Sequence, residues 1–137
     1  MDLKFLFWNV RDKDETAVGC VIDELMPLDI IAIAESKISD TYFQNHGFTL
    51  IHKIAKKDAK KNEKKILKLY AKLSGFKVNA VGDYGNGEML AALVEVNLQK
   101  VLIVGVHLIS KMSVNNEEKK LKNAIKYRNF IESLEIK

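Results

Sequence analysis

Residues 29–36 read DIIAIAES. With Leu28 they form a nearly continuous apolar run containing three isoleucines, which is the pattern of a central β-strand covered on both faces. Residues 3–10, containing KFLFWNV at 4–10, predict a buried strand before it. Between the two, Asp14 can cap a helix on which Val18, Val21, Ile22 and Leu25 fall at helical spacing, and Pro27 closes that helix. Strand, helix, strand implies a parallel pair. A third apolar run, VLIVGVHL at 101–108, resembles the first two in one respect: each ends on a polar residue, Asn9, Glu35 or His107. Strands that finish at one edge of an open α/β sheet deliver their terminal side chains into one cleft, so the three endings predict one shared site.

The middle of the chain changes period. Residues 36–47 read as loop or short helix, and residues 48–54 alternate like a half-exposed strand. Residues 66–71 and 76–81 resemble two strands joined by a turn around Ser74 and Gly75, and residues 89–96 and 101–107 flank a short connection at 97–100. The expectation is an antiparallel meander. At the end, Asn115 and Glu118 stand at capping-box spacing, with Leu121, Ala124, Ile125, Arg128, Ile131 and Leu134 along one face of the helix that follows. The fold class expected is α+β, of the α/β sandwich type: a mixed sheet with a parallel opening pair, an antiparallel meander and helices on one face.

At 137 residues, with 47% apolar and 29% charged residues, the chain is expected to be one soluble domain, 1–137. No apolar run approaches the roughly 20 residues of a membrane helix, and no secretory signal precedes the first strand, so a cytoplasmic location is expected. Cys20 is the only cysteine, which excludes an internal disulfide and any Cys/His metal cluster; it reads as a small, half-buried helix residue. The net charge of +4 is local. Residues 53–65 hold seven lysines (Lys53, Lys56, Lys57, Lys60, Lys61, Lys64 and Lys65) against Asp58 and Glu63, and read as a lysine-rich loop or insertion. Six of these, Lys56, Lys57, Lys60, Lys61, Lys64 and Lys65, are candidates for contact with a nucleic-acid backbone, the alternative being a solvated loop.

An amide at Asn9 can offer its oxygen to a metal and its NH2 to a phosphate oxygen. Glu35, directly after an apolar run, is held at the sheet rim, and hard Mg²⁺ takes such oxygen ligands while keeping several waters. His107 can donate to a phosphate oxygen or protonate a leaving group, and Gly105 before it leaves room for a close neighbour. Each also has an ordinary structural reading as a strand-end residue. His46 and His52 read as surface residues. GDYGNG at 82–87 reads as a hairpin turn and not as a phosphate loop, because strand continues after it where a phosphate loop needs a helix N-terminus.

FLFWNV with Trp8-Asn9, DIIAIAES with Glu35, and LAALVEV followed by VLIVGVHLIS with His107 and a helix containing Arg128, in that order and spacing, resemble the endonuclease/exonuclease/phosphatase superfamily with its deoxyribonuclease I-like fold. The resemblance implies half of a four-layer sandwich, with Asn9 and Glu35 at the Mg²⁺ (or Mn²⁺) and scissile phosphate and His107 opposite them. It implies metal-assisted hydrolysis of a phosphoester, whether in DNA, RNA, a phospholipid or a small molecule. Three departures stand out. Ala34 replaces the usual Gln before the metal-binding glutamate; Glu63 lies near the place of a glutamate that orients the histidine in some members; and the later Gly-Asp-aromatic-Asn and Ser-Asp-His segments have no counterpart, since Gly82-Asp83-Tyr84 precedes the strand it should follow. The expectation is therefore the N-terminal half of such a domain, inactive alone. Its partner would be the C-terminal half or a second copy docking on an uncovered sheet face. The competing expectation is a non-catalytic nucleic-acid-binding or assembly module on the same fold.

Overall fold

The computed structural model describes residues 2–11, 13–57, 60, 63–84, 89–106 and 116–134. Ten elements follow one another: β1 (Phe5–Asn9), α1 (Glu15–Leu25), β2 (Ile30–Ala34), α2 (Asp40–Asn45), β3 (Thr49–Lys57), β4 (Glu63–Ala71), β5 (Lys77–Tyr84), β6 (Met89–Val96), β7 (Gln99–Val106) and α3 (Asn116–Ser133). They make two sheets, one ordered β1-β2-β4-β3 and the other β5-β6-β7.

The opening unit follows the sequence closely. β1 and β2 pair in parallel from Phe5 opposite Ile30 to Asn9 opposite Ala34. Asp14 caps α1, its Oδ1 accepting from the backbone N–H of Thr16 (2.7 Å) and Ala17 (3.3 Å), which satisfies two donors that the first helical turn leaves orphaned. Every residue of β2 is buried. Alternation splits them: Ile30, Ala32 and Ala34 face the second sheet, while Ile31 and Ile33 face Val18 and Ile22 of α1 and Phe43 of α2.

β4 departs from the expected meander. It does not pair with β5 but slots between β2 and β3, antiparallel to both, with Leu67 opposite Ala34 and Ile54. The turn at Ser74 and Gly75, the latter at a φ of 79°, carries the chain across to the other sheet. The reason is area: between β2 and β3 the strand buries both faces, with Leu67 and Leu69 on one and Tyr70 on the other. The three-stranded meander begins only at β5, and its last turn, Asn97-Leu98, has both residues at positive φ (49° and 67°), as a type I′ turn requires.

Apart from Lys60 at its turn, the lysine-rich stretch is strand, not loop, where it is described. Its backbone belongs to the ends of β3 and β4, paired with Lys56 opposite Lys64 and Lys57 opposite Glu63; Asp58, Ala59, Lys61 and Asn62 lie outside the described residues.

The two sheets pack face to face. Ile30, Ala32 and Ala34 meet Leu90, Ala92 and Val94 in one buried cluster. The expectation of a sheet face left without a partner is thereby corrected: the second sheet of the same chain covers it. Helices α1 and α2 cover the far side of the first sheet, and α3 reaches the second through Phe130 and Leu134, which lie 3.3–3.4 Å from where a Cβ on Gly82 would stand. A helix–sheet–sheet–helix stack results. The stripe expected to seat α3 is another correction. Leu121 and Ile125 are more than half exposed and Arg128 only joins Glu132 on the surface (3.0 Å); of the stripe, Leu134 makes the contact, together with Phe130, which lies off it. Cys20 is exposed on α1, not half-buried.

Candidate functional site at the rim of the first sheet

Register brings Asn9 and Glu35 together. Asn9 is the last residue of β1, Ala34 opposite it is the last of β2, and Glu35 follows at once. The ladder runs one step further, the Val10 N–H donating to the Ala34 carbonyl at 3.0 Å, so the two strand ends are held side by side. Asn9 Oδ1 accepts from the Arg11 N–H at 3.1 Å, a turn that fixes the amide while leaving its oxygen a second lone pair. Both side chains are half-buried. Glu35 and Arg11 adopt positive φ (53° and 50°), a conformation that costs a non-glycine residue roughly 1–2 kcal/mol and so marks a locally strained rim. Below Glu35, Ser36 is buried and its Oγ accepts from the Ile38 N–H at 3.1 Å, anchoring the loop that carries the carboxylate.

The second sheet ends at the same side. Phe7 lies 3.4 Å from where a Cβ on Gly105 would stand, while Leu3 and Phe5 border the same cavity as Val101 and Ile103. Thus β7 runs alongside β1 in the same direction and stops, at Val106, at the end of the sandwich where β1 stops at Asn9. His107 itself lies outside the described residues.

The lysine hairpin belongs to this side as well. Leu67 of β4 stands opposite Ala34, so residues 63–66 and their partners in β3 continue past the rim by four residues, about 13 Å at the usual strand rise. Lys60 at the tip and Lys53 on β3 are exposed. Of the side chains of Lys56, Lys57, Lys64 and Lys65 only the backbone positions are described, and Lys61 and the side chain of Glu63 are outside the described residues. Of the segment read as a turn at 82–87, Gly82, Asp83 and Tyr84 belong to β5, with Tyr84 opposite Met89 of the antiparallel β6, and residues 85–88 lie outside the described residues.

Two clusters escaped the sequence reading. Asp40, at the start of α2, accepts hydrogen bonds from the Tyr70 hydroxyl and from Lys68 Nζ (3.0 Å). The Tyr70 bond, then that of Lys68, holds the Asp40 carboxyl below its ordinary range against the opposing effect of burial. Burial, then the bond to Asp40, pushes the Tyr70 hydroxyl far above its ordinary range. On the helices, the Tyr42 hydroxyl donates to Asp23 Oδ1 (2.6 Å), which His46 Nε2 also approaches (3.2 Å), so His46 ties α2 to α1 and is not a free surface residue. Contacts 19 to 30 residues apart leave no local period to read. Among the described residues no group of three or more His, Cys, Asp or Glu side chains gathers to hold a metal.

No family model matches the chain, and no curated protein does. Solved structures do. The endonuclease domain of TRAS1, a telomere-specific non-LTR retrotransposon, superposes with a TM-score of 0.57 at 12% identity over 91% of this chain and 54% of that one. D. rerio TDP2, solved in complex with a single-strand DNA product, superposes with a TM-score of 0.59 at 16% identity over 92% of this chain and 54% of its own. The chain thus spans about half the length of each. At these identities the likeness shows the fold.

Proposed function

From a chain that carries the deoxyribonuclease I-like fold of the endonuclease/exonuclease/phosphatase superfamily, we propose that it supplies one half of a divalent-metal-dependent phosphodiesterase acting on nucleic acid. The observation that carries this reading is the side-by-side fixing of Asn9 and Glu35 at one strained rim. The donor set fits Mg²⁺ or Mn²⁺: one carboxylate and one amide oxygen from protein, both hard oxygen ligands, leave room for waters and substrate phosphate. Such an ion, when bound, neutralises charge developing on the phosphoryl oxygens and lowers the pKa of attacking water. Glu35 then holds the ion at the rim, and the Asn9 amide, fixed by Arg11, orients a phosphate oxygen. His107, which follows the last described residue of β7, would have the role of donor to the phosphate or leaving group. The groups that complete catalysis lie in the part of the fold this chain does not span.

The hairpin supports the nucleic-acid substrate class. A lysine-bearing arm that continues about 13 Å past the catalytic rim is placed to neutralise phosphates on a strand lying across it. Manganese relaxation in NMR tests the metal assignment without needing turnover. Mn²⁺ should broaden the amides of residues 9–11 and 34–36 first, and Glu35→Ala should abolish that selectivity. Uniform or absent broadening would refute the site. The same reading expects the isolated chain to fall several orders of magnitude short of a complete phosphodiesterase; robust turnover that Glu35→Ala abolishes would keep the site and refute the half-enzyme.

A further inference from the structure

Glu35 holds a backbone conformation that its side chain disfavours. At a φ of 53° it persists only if the chain is fixed on both sides of it. The upstream side is fixed by the ladder, which reaches the Val10 N–H and the Ala34 carbonyl (3.0 Å). The downstream side is a loop, residues 36–39, that joins no sheet and leads straight into α2, a helix of six residues and too short to be stable alone. The position of this loop therefore depends on side-chain contacts.

Three contacts fix it. Within the loop, the Ile38 N–H donates to the buried Ser36 Oγ (3.1 Å). From α1, Glu15 Oε1 accepts from the Ser39 N–H (3.0 Å). At the far end, Asp40 Oδ1 accepts from both the Tyr70 hydroxyl and Lys68 Nζ. Tyr70 and Lys68 stand two apart on β4 and so share a face; they lie opposite Ile31 and Ile33, within three residues of the end of β2 at Ala34. One carboxylate oxygen thus pins the end of the loop to the strand beside the one that carries Glu35. Tyr70 is 1% exposed, and its ring stacks on Phe43 of α2 with centroids 3.9 Å apart. Phenylalanine would make that stack equally well. The hydroxyl, which is costly to bury, is satisfied by Asp40.

We propose that Tyr70, acting through Asp40, is a positioning residue for Glu35, holding its loop so that the carboxylate meets a divalent ion as a preset ligand. The proposal rests on the reading of the rim as a divalent-ion site. With the bond made, the loop cannot shift and Glu35 keeps its positive φ. Without it, the downstream chain yields, φ relaxes toward the favoured negative region, and the carboxylate swings away from Asn9. If the bond only docked α2 on the sheet, its loss would lower stability and leave the rim alone.

Two variants of the full chain that delete the same atom separate these roles. Tyr70→Phe removes the hydroxyl while keeping the Phe43 stack and every charge. Tyr42→Phe removes the other tyrosine–aspartate bond of α2, to Asp23 Oδ1 (2.6 Å), which joins that helix to α1. Urea melts should show comparable losses of stability in the two. Only Tyr70→Phe should raise the Mn²⁺ concentration that half-broadens the amides of residues 34–36, by on the order of 10-fold, as loss of a support behind a metal ligand does. Only Tyr70→Phe should speed hydrogen exchange at the Ile38 and Ser39 amides. Selective broadening in the unaltered chain that Tyr70→Phe leaves in place at the same Mn²⁺ concentration, or equal shifts in both variants, would overturn the positioning role and keep the metal site. An unaltered chain without selective broadening would overturn the metal site, and the positioning role with it.

Discussion

Asp40 shows how one side chain can join a helix to a sheet. Its carboxylate receives the Tyr70 hydroxyl and the Lys68 ammonium, and both bonds favour the ionised form. A carboxyl depressed in the folded state adds stability above its unfolded pKa, near 4, and that contribution is lost as pH falls through the lower folded value. Asp40→Asn should therefore cost about 1 kcal/mol at neutral pH, a modest figure because the side chain is 42% exposed, and the difference between the two proteins should vanish on acidification through that window. Urea melts of both at pH 7 and pH 2.5 would check it. Glu35 poses the opposite case. Its φ of 53° favours glycine, so in Glu35→Gly relief of the backbone, up to about 1 kcal/mol, should offset the loss of the side chain's own interactions, while the selective Mn²⁺ broadening is removed. A rim residue that gives up stability for its position is what a functional carboxylate looks like; a large drop in stability on Glu35→Gly would show it to be structural.

At the scale of elements, the strands were legible because burial on two faces writes itself as an uninterrupted apolar run, as in Ile30–Ala34, and the cap on α1 because Asp14 acts within its own turn. Which strand meets which was not legible for β4, since alternation is identical whether Leu67 and Leu69 face a β5 neighbour or, as here, lie between β2 and β3. The same ambiguity hid the lysine arm: charges four residues apart suit a helix face, a loop or, with one turn between them, two strands of a hairpin. The arm carries its own prediction. Replacing Lys56, Lys57, Lys60 and Lys64 by Gln should weaken binding of single-stranded DNA without regard to sequence and lower the slope of log K against log salt by about 0.7 for each phosphate no longer neutralised. Thermal stability should scarcely move, as the backbone register carries this end of the hairpin past the last residue of β2. Fluorescence anisotropy across a salt series reads both affinity and slope, and an unchanged slope would remove the hairpin from the interface.

The whole chain superposes on about half of each structural neighbour; the adjacency of Asn9 and Glu35 at one rim was readable from strand endings, while the face-to-face closure within the chain was not. A sequence shows that a face is apolar; it does not show which later segment will cover it, and Leu90, Ala92 and Val94 lie some 60 residues beyond the face they cover. The strand order of the first sheet also governs how the protein emerges from a ribosome. β2 is central, yet its second neighbour, β4, is the last of the four strands to be made, after the whole of β3. Until residue 71 has cleared the exit tunnel, the nascent chain holds IIAIA with one side unpaired and cannot exchange it for any native contact. The β3–β4 hairpin can close on its own within microseconds, but docking it against β2 must wait for its completion. Synthesis at 5–20 residues per second therefore leaves this segment in search of a partner for roughly two to eight seconds. Over that interval the apolar edge of β2 has no native strand to take, and the delay is set by the position of a single strand.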